Sequence, residues 1–292
     1  MENSSPRAAM RAVRAALAGA GCPDADYDAR ELYKMAVGQD SRLADPTALL
    51  SAARAKTLAS MTDRRAAREP LQYIAGQWDF LDFTLAVGPG VLCPRPDTET
   101  VCEAALRCLA GVSAPRVLDL CAGTGCLGLG VKRFCPDAQV TCVEKSGEAL
   151  CYLQKNAAEA LPGFTLAHPA VTVLQADVFA LWRTLPANAC DLIVSNPPYL
   201  TGTEMAALMP EVAHEPAMAL DGGADGLAFY RLLTEKYKSC LRPGGYLAVE
   251  IGCAQGAAVS ALGRAAGWRE ITCRRDCGGN DRVVLLRAPA DS

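Results

Sequence analysis

From residue 116 to the end of the chain, short apolar runs alternate with longer stretches of helical periodicity, and this alternation limits the fold more than any other feature. The runs are "RVLDL" (116–120), "AQVTCVE" (138–144), "VTVLQA" (171–176), "DLIVSN" (191–196) and "YLAVEIG" (246–252). Helical stretches open after the glycines near 125 and recur over 147–160, 226–240 and 255–266; the turn Pro243-Gly244-Gly245 leads into the fifth run. Two closing strands are expected near 269–274 and 282–287. Repeated β-α units of this length predict an α/β fold, a mostly parallel seven-stranded sheet with helices on both faces. In such sheets ligands bind beyond the carboxyl ends of the strands. The residues just past each run are therefore the ones to read for function.

Ahead of the sheet the texture differs. Residues 1–70 carry helical periodicity, with Met10, Val13 and Leu17 on one face, Leu32, Met35 and Ala36 on another, and Leu50, Leu58 and Met61 on a third. Asp24 and Asp45 stand where N-caps fall, with Pro46 at a first helical position. A small helical-bundle domain is expected there. Over 71–93, "GQWDFLDFTLAVGPGVL" alternates, is rich in aromatics and is punctuated by Gly-Pro-Gly, which predicts a β-hairpin linker. "CPRPDTET" then leads into a helix over 98–110, and 94–292 forms the sheet domain.

Composition excludes several classes. With 51% apolar and 21% charged residues the chain is globular rather than disordered. A net charge of −3 provides no basic field for nucleic acid, so no direct nucleic-acid partner is expected. The 14 cysteines are scattered without a CxxC pair and only two histidines occur, so no metal site is expected. Most of these cysteines read as small buried apolar residues in a reducing cytoplasm. Arg7, Arg11 and Arg14 interrupt the N-terminal apolar residues, which argues against a secretory signal; an Arg-rich transit peptide and a plain first helix both remain open. No uninterrupted apolar run reaches membrane-spanning length, so no membrane association is expected.

Four strand ends carry polar residues or glycines. "LDLCAGTGCLGL" places Gly123, Gly125 and Gly128 just past the first run, where glycine permits close backbone approach to a ligand or close helix–strand packing. Glu144 ends the second run about 20 residues on, where an acid can bind a ribose diol, a pattern that NAD would fit equally well. Asp177 comes after the third run and reads either as an acceptor for an adenine amino group or as the cap of the next turn. The fourth run ends in Asn196-Pro197-Pro198-Tyr199. Two adjacent prolines fix φ and donate no backbone hydrogen bonds, which makes a stiff, non-helical turn.

With these positions at one sheet edge, the sequence resembles the class I S-adenosylmethionine-dependent methyltransferases, which have a Rossmann-like fold and in which [DNS]PP[YF] holds a planar amino or amide nitrogen. More specifically, "EPLQYIAGQWDF" (69–80), "PRPDTE" (94–99), "SNPPY" (195–199), "HEPAMALDGGADGL" (214–227), "LRPGGYLAVEIG" (241–252) and "RDCGGNDR" (275–282) resemble the release-factor glutamine N5-methyltransferases, the HemK/PrmC family. The resemblance implies that the methionine end of S-adenosylmethionine lies along Cys121, Ala122, Gly123, Thr124 and Gly125, with Asp119 supporting its amino group. It implies that Glu144 takes the ribose hydroxyls, that Asp177 and Val178 take the adenine, and that Asn196 touches both methyl and acceptor. Asn196, Pro197, Pro198 and Tyr199 would clamp the acceptor amide, with Tyr199 packing on it. Arg95 and Glu99 would wall the pocket or form a loop salt bridge. Glu250, ending the fifth run, would face the site or make a structural hydrogen bond. Val178 stands where many relatives have an aromatic, so adenine stacking from that position is not expected. Cys121 and Cys126 read as small packing residues.

The implied activity is methyl transfer from S-adenosylmethionine, leaving S-adenosylhomocysteine, to the glutamine of the Gly-Gly-Gln loop of class 1 peptide chain release factors. The implied setting is a cytoplasmic monomer whose N-terminal bundle docks the release factor. Alternatives are a ribosomal-protein glutamine, a DNA or RNA adenine-N6 or cytosine-N4 acceptor, and a cofactor-binding protein without catalysis. Against a nucleic-acid acceptor stand the acidic balance and the lack of a basic recognition domain.

Overall fold

Side-chain oxygens set where the first helices begin. Ser5 accepts from the Ala8 amide, Asp24 from Tyr27 and Ser51 from Arg54, opening α1 (Pro6–Gly19), α2 (Ala25–Val37) and α3 (Ala52–Ala66). Each cap satisfies a first-turn donor that has no intrahelical partner. Asp24 caps as its position predicts. Asp45 does not: its Oδ1 accepts from the Thr47 amide and hydroxyl at 2.8 and 2.7 Å. That local turn competes with helix formation, so Pro46 lies in a turn and the helix waits for Ser51.

The computed structural model describes residues 3–290, in two compact units: 3–76 with Met209–His214, and Gln77–Leu208 with 215–290. In the first unit the core is Ala9, Val13, Leu17, Ala29, Leu32, Tyr33 and Leu58, while Met10, Met35, Ala36 and Met61 are only half-buried. An ion-pair network threads it. Arg65 reaches Asp28 and Glu211 at 2.8 Å each, and Arg68 reaches Glu211 at 2.7 Å. Although burial opposes ionisation of Glu211, the bonds from Arg68 and Arg65 prevail and hold its carboxyl at about 2. α4 (Leu71–Ala75) ends this unit at Gly76, in the left-handed region. A helix thus occupies the first residues that the sequence assigned to the hairpin.

The second unit starts with that hairpin, antiparallel β1 (Gln77–Phe80) and β2 (Phe83–Ala86). Next come α5 (Pro96–Cys108), β3 (Arg116–Leu120), α6 (Cys126–Phe134), β4 (Gln139–Glu144), α7 (Gly147–Glu159), β5 (Thr172–Gln175), α8 (Val178–Leu181), β6 (Cys190–Ser195), α9 (Gly202–Met205), α10 (Ala228–Lys236), β7 (Leu241–Glu250), α11 (Gly256–Ala265), β8 (Arg269–Arg275) and β9 (Asp281–Arg287). The seven-stranded sheet has the order β5-β4-β3-β6-β7-β9-β8. β3 to β7 are parallel, and β9 runs antiparallel to both β7 and β8. The chain winds outward from β3 in one direction and from β6 in the other, so a switch point lies between them. Along β6, Leu192 and Val194 enter one core cluster and Ile193 the other; burial on both faces is why these strands read as unbroken apolar runs. Pro243-Gly244-Gly245, expected as a turn before the strand, lies within β7 beside a register shift at Cys190/Leu192.

Beyond Tyr199 the chain makes a long excursion whose ends are tied together. The Leu200 amide donates to the Leu220 carbonyl and the Gly222 amide to the Leu200 carbonyl, both at 2.9 Å, around a parallel Leu200–Asp221 bridge. Six of the cysteines are buried and four are exposed, fewer buried than the sequence suggested. Among the described residues no helix is long and apolar enough to cross a membrane.

Candidate active site

β3 to β7 bring their C-terminal ends to one edge, and the segments just past β3, β4, β5 and β6 line a two-lobed cleft in the second unit. After β3, Cys121 has φ +60°, a left-handed conformation costing a non-glycine residue about 1–2 kcal/mol. Such strain persists only where the surroundings impose it. The glycines divide their roles. Gly123 lines the first lobe in the left-handed region (φ +55°), with nothing but Val91 near where a Cβ would be, whereas a Cβ at Gly128 would collide with Cys142 of β4. Open space for a ligand at Gly123 and close helix packing at Gly128 thus occur side by side. Gly125 opens α6 at φ +83°.

Asp119 sits beneath this loop. Its Oδ2 accepts from the Gly128 amide at 2.9 Å, while the buried Oδ1 has no hydrogen-bond partner. Burial pushes this carboxyl up to about 7. Glu144 ties β4 to the loop: Oε2 accepts from Gly123 at 2.8 Å, and Oε1 from Lys145 and Ser146 at 2.8 and 2.7 Å. Asp119, Cys121, Ala122, Gly123, Thr124, Glu144, Asn196 and Pro198 line the first lobe together. Cys126 lines it too, so Cys121 and Cys126 do more than pack.

The second lobe shares Cys121, Glu144, Pro198 and Met218 with the first and adds Asp177, Val178, Phe179 and Phe229. Asp177 caps α8 by accepting from Phe179 at 2.9 Å and pairs with Lys145 at 2.9 Å. The bond from Lys145, then that from Phe179, holds its carboxyl below the usual range. Val178 provides no ring, but the next residue does: Phe179 meets Phe229 edge-on with centroids 5.0 Å apart. Reading only position 178 missed this pair.

The turn after β6 is braced by Thr98, which lines the first lobe, and behind it by Glu250, which lines neither. Asn196 donates from Nδ2 to Thr98 Oγ1 at 3.3 Å, and Thr98 donates to Glu250 Oε2 at 2.6 Å. Neither Pro197 nor Tyr199 lines either lobe. Tyr199, expected over the acceptor amide, instead has its hydroxyl 3.5 Å from Glu250 Oε1. Arg95 lines the first lobe and pairs with Glu215, which also accepts from the Cys93 amide at 3.1 Å. Arg95 thus borders the lobe and makes an ion pair at once. Glu99 is not brought to the cleft. Its Oε1 accepts from the Leu81 amide at 2.9 Å and it lines a separate groove with Arg107 and Arg274, because one residue past Thr98 a helix has turned by roughly 100°. Thr98, Glu215, Phe179 and Phe229 were not singled out from sequence; Glu215 was within reach, inside the quoted "HEPAMAL".

A Rossmann-like sheet with a glycine loop, strand-end acids and a proline-braced turn at its switch point defines a methyltransferase domain of this fold class. Residues 84–224 match the Methyltransferase small domain family and residues 8–76 the PrmC N-terminal domain. The chain is 40% identical to the release factor glutamine methyltransferase of Caulobacter vibrioides, over 97% of each chain. It is 42% identical to that of Geobacter sulfurreducens over 76% of this chain and 74% of the relative. Among solved structures, the hMettl16 catalytic domain superposes with a TM-score of 0.55 at 14% identity, covering 71% of this chain and 76% of that one, a likeness of fold. The protein-(glutamine-N5) methyltransferase (release factor-specific) of Alicyclobacillus acidocaldarius is 27% identical, with a TM-score of 0.42 over 70% of this chain and 98% of that one. The chain belongs to the release factor glutamine methyltransferase family.

Proposed function

We propose that this chain transfers a methyl group from S-adenosylmethionine to the side-chain amide nitrogen, N5, of the glutamine in the Gly-Gly-Gln loop of class 1 peptide chain release factors. The observation that carries the reading is the relation to release factor glutamine methyltransferases over 97% of the chain, in a protein whose Asn196 turn borders a cleft floored by an unpartnered carboxylate.

The residues present suit the cofactor. A buried oxygen without a donor is costly, and an ammonium group at Asp119 Oδ1 supplies the missing donor and the compensating charge. Gly123 offers backbone without a side chain in the way. Glu144 already accepts three amides, yet its two oxygens have about four lone-pair sites, which leaves room for one ribose hydroxyl. Asp177 and Val178 edge the second lobe, whose Phe179–Phe229 pair gives an adenine an apolar wall. When bound, S-adenosylmethionine supplies a methyl on positively charged sulfur, which keeps the S–C electron pair as S-adenosylhomocysteine leaves.

The chain's own residues prepare the acceptor. An amide nitrogen is a weak nucleophile because its lone pair is delocalised into the carbonyl. Asn196 Oδ1 and the Pro197 carbonyl accept its two N–H groups and hold the lone pair toward the methyl. Positioning of this kind is worth roughly 7–11 kcal/mol when the bound state is a near-attack arrangement. The nitrogen's pair forms the new N–C bond and its surplus proton passes to solvent, so no general base is needed. The helical unit docks the release factor, and the enzyme works in the cytoplasm as a monomer.

The test is incubation with methyl-labelled cofactor and a class 1 release factor, a ribosomal fraction or DNA, followed by mass-spectrometric mapping. Label on the Gly-Gly-Gln glutamine supports the reading. Label on a ribosomal-protein glutamine or on a nucleic-acid base would replace it.

A further inference from the structure

Asn196 can do its work only if its carboxamide shows the cleft the right end. Rotating the group by half a turn exchanges Oδ1 for Nδ2 and offers the acceptor's N–H groups another donor. Neither proline of the turn has an amide hydrogen to prevent this. Three residues from separate elements address it: Asn196 after β6, Thr98 in the first turn of α5 and Glu250 at the end of β7. Thr98 and Glu250 are each 1% exposed.

We propose that Glu250, acting through the Thr98 hydroxyl, fixes the orientation of the Asn196 carboxamide and so makes this pair the positioning device for the methyl acceptor. This deepens the function proposed above and rests on it. The geometry sets the direction of the chain. A hydroxyl carries one proton, and that of Thr98 goes to Glu250 Oε2 at 2.6 Å. Toward Asn196 the Thr98 oxygen can then only accept. Nδ2, 3.3 Å away, must be the end that faces it, because the rotated amide would set two acceptors against each other. Oδ1 is thereby the end left for a donor.

The device has an ionic key. A carboxylate Glu250 can only accept, which holds the Thr98 proton on its side. A protonated Glu250 can donate to Thr98 Oγ1, freeing the Thr98 proton to go to Asn196 Oδ1 and favouring the rotated amide. Burial pushes the Glu250 carboxyl up to about 7, with Thr98 and Arg282 working against it. Arg282 reaches it from β9, Arg95 and Asp97 from the start of α5, and Cys126 senses it from α6. The Tyr199 hydroxyl lies 3.5 Å away, and Tyr230 of α10 donates to the Glu250 backbone carbonyl at 2.8 Å. Arg282 is itself paired with Asp97 and Asp276 at 3.1 Å each, so its charge is shared. The orienting form is the one present above this value and lost as pH falls through it.

The experiment compares wild type, Thr98→Val, Thr98→Ser and Glu250→Gln at saturating cofactor. Thr98→Val keeps the shape and removes both donor and acceptor. We expect kcat to fall about 10- to 100-fold in Thr98→Val, with cofactor Kd within about threefold of wild type, and Thr98→Ser to restore kcat. We expect wild-type kcat to rise with pH through a value near 7 and this limb to vanish in Thr98→Val and Glu250→Gln. A limb due to Asp119 would survive both substitutions. Wild-type kcat in Thr98→Val, or an unchanged pH limb, would overturn the proposal. A second readout needs no turnover. In the wild type, the Asn196 side-chain NH2 resonance, assigned by its loss in Asn196→Ala, should titrate together with the Glu250 carboxyl carbon, and Thr98→Val should uncouple them. Independent titration in the wild type overturns the positioning role even where methyl transfer is normal. Methylation of a different acceptor defeats the functional reading and leaves this measurement to decide the orientation.

Discussion

The helical unit and two buried acids of the sheet unit, Asp119 and Glu250, treat buried charge in opposite ways. In the helical unit each acid of the network has a guanidinium: Asp28 and Arg65 are each 5% exposed and paired at 2.8 Å, and Glu211 receives two arginines. In the sheet unit Asp119 has one oxygen on a backbone amide and one on nothing, and Glu250 is braced by a hydroxyl with no arginine in direct contact among the described residues. A paired buried charge holds helices in place. A buried charge with an unfilled oxygen destabilises the fold and is available to a ligand. The difference separates a structural use of ionisable groups from a functional one, and it can be tested from both sides.

The largest effect is expected where pairing is removed. Arg65→Ala strands Asp28 in an apolar interior, at a cost of about 3–5 kcal/mol, read as faster hydrogen exchange across α3. A loss under about 1 kcal/mol would mean the network matters no more than a surface pair. Asn196→Ala works in the other direction. It should lower methyl transfer about 10²- to 10³-fold while calorimetry finds cofactor affinity and stability nearly unchanged; equal loss of affinity would contradict its assigned role.

The pH dependences should have opposite signs. Glu211 is held at about 2 against an ordinary 4.5, so its contribution is complete above pH 4.5 and lost as pH falls toward 2. Asp119 is raised from 3.8 to about 7. Folding therefore takes up a proton, and the ligand-free sheet unit should lose stability as pH rises from 4 to 7, by up to about 1.4 kcal/mol per pH unit per group. All three tryptophans, Trp78, Trp182 and Trp268, belong to this unit, so their fluorescence tracks its unfolding. Asp119→Asn should flatten the slope and weaken cofactor binding. The smallest effect is expected at Glu144, whose carboxylate is partly satisfied by amides: Glu144→Ala should cost about tenfold in cofactor affinity, and about 1–2 kcal/mol from the unbraced loop.

How much of the molecule was legible in the sequence depends on how each feature is encoded. The parallel strands were readable because burial on both faces writes each as a local apolar run, and their ends located Asp119, Glu144, Asp177 and Asn196. Caps were readable only in part, since Asp45 and Ser51 both offer an oxygen and the turn that Asp45 makes with Thr47 leaves the helix to start at Ser51. The brace behind Asn196 was not readable. Thr98 is 98 residues from Asn196 and 152 from Glu250, and only the folded sheet brings them within hydrogen-bond reach. Glu99 shows the converse error: its motif position was right, but its helical angle turned it away.

The knot of hydrogen bonds around Leu200, where the excursion after the proline turn leaves and returns, has an evolutionary corollary. A loop pinched at its neck can grow or shrink without disturbing the layers beneath it, because each doubling of its length costs only about 0.6 kcal/mol in closure entropy. Residues 202–208 are therefore where this fold should accept insertions at least cost.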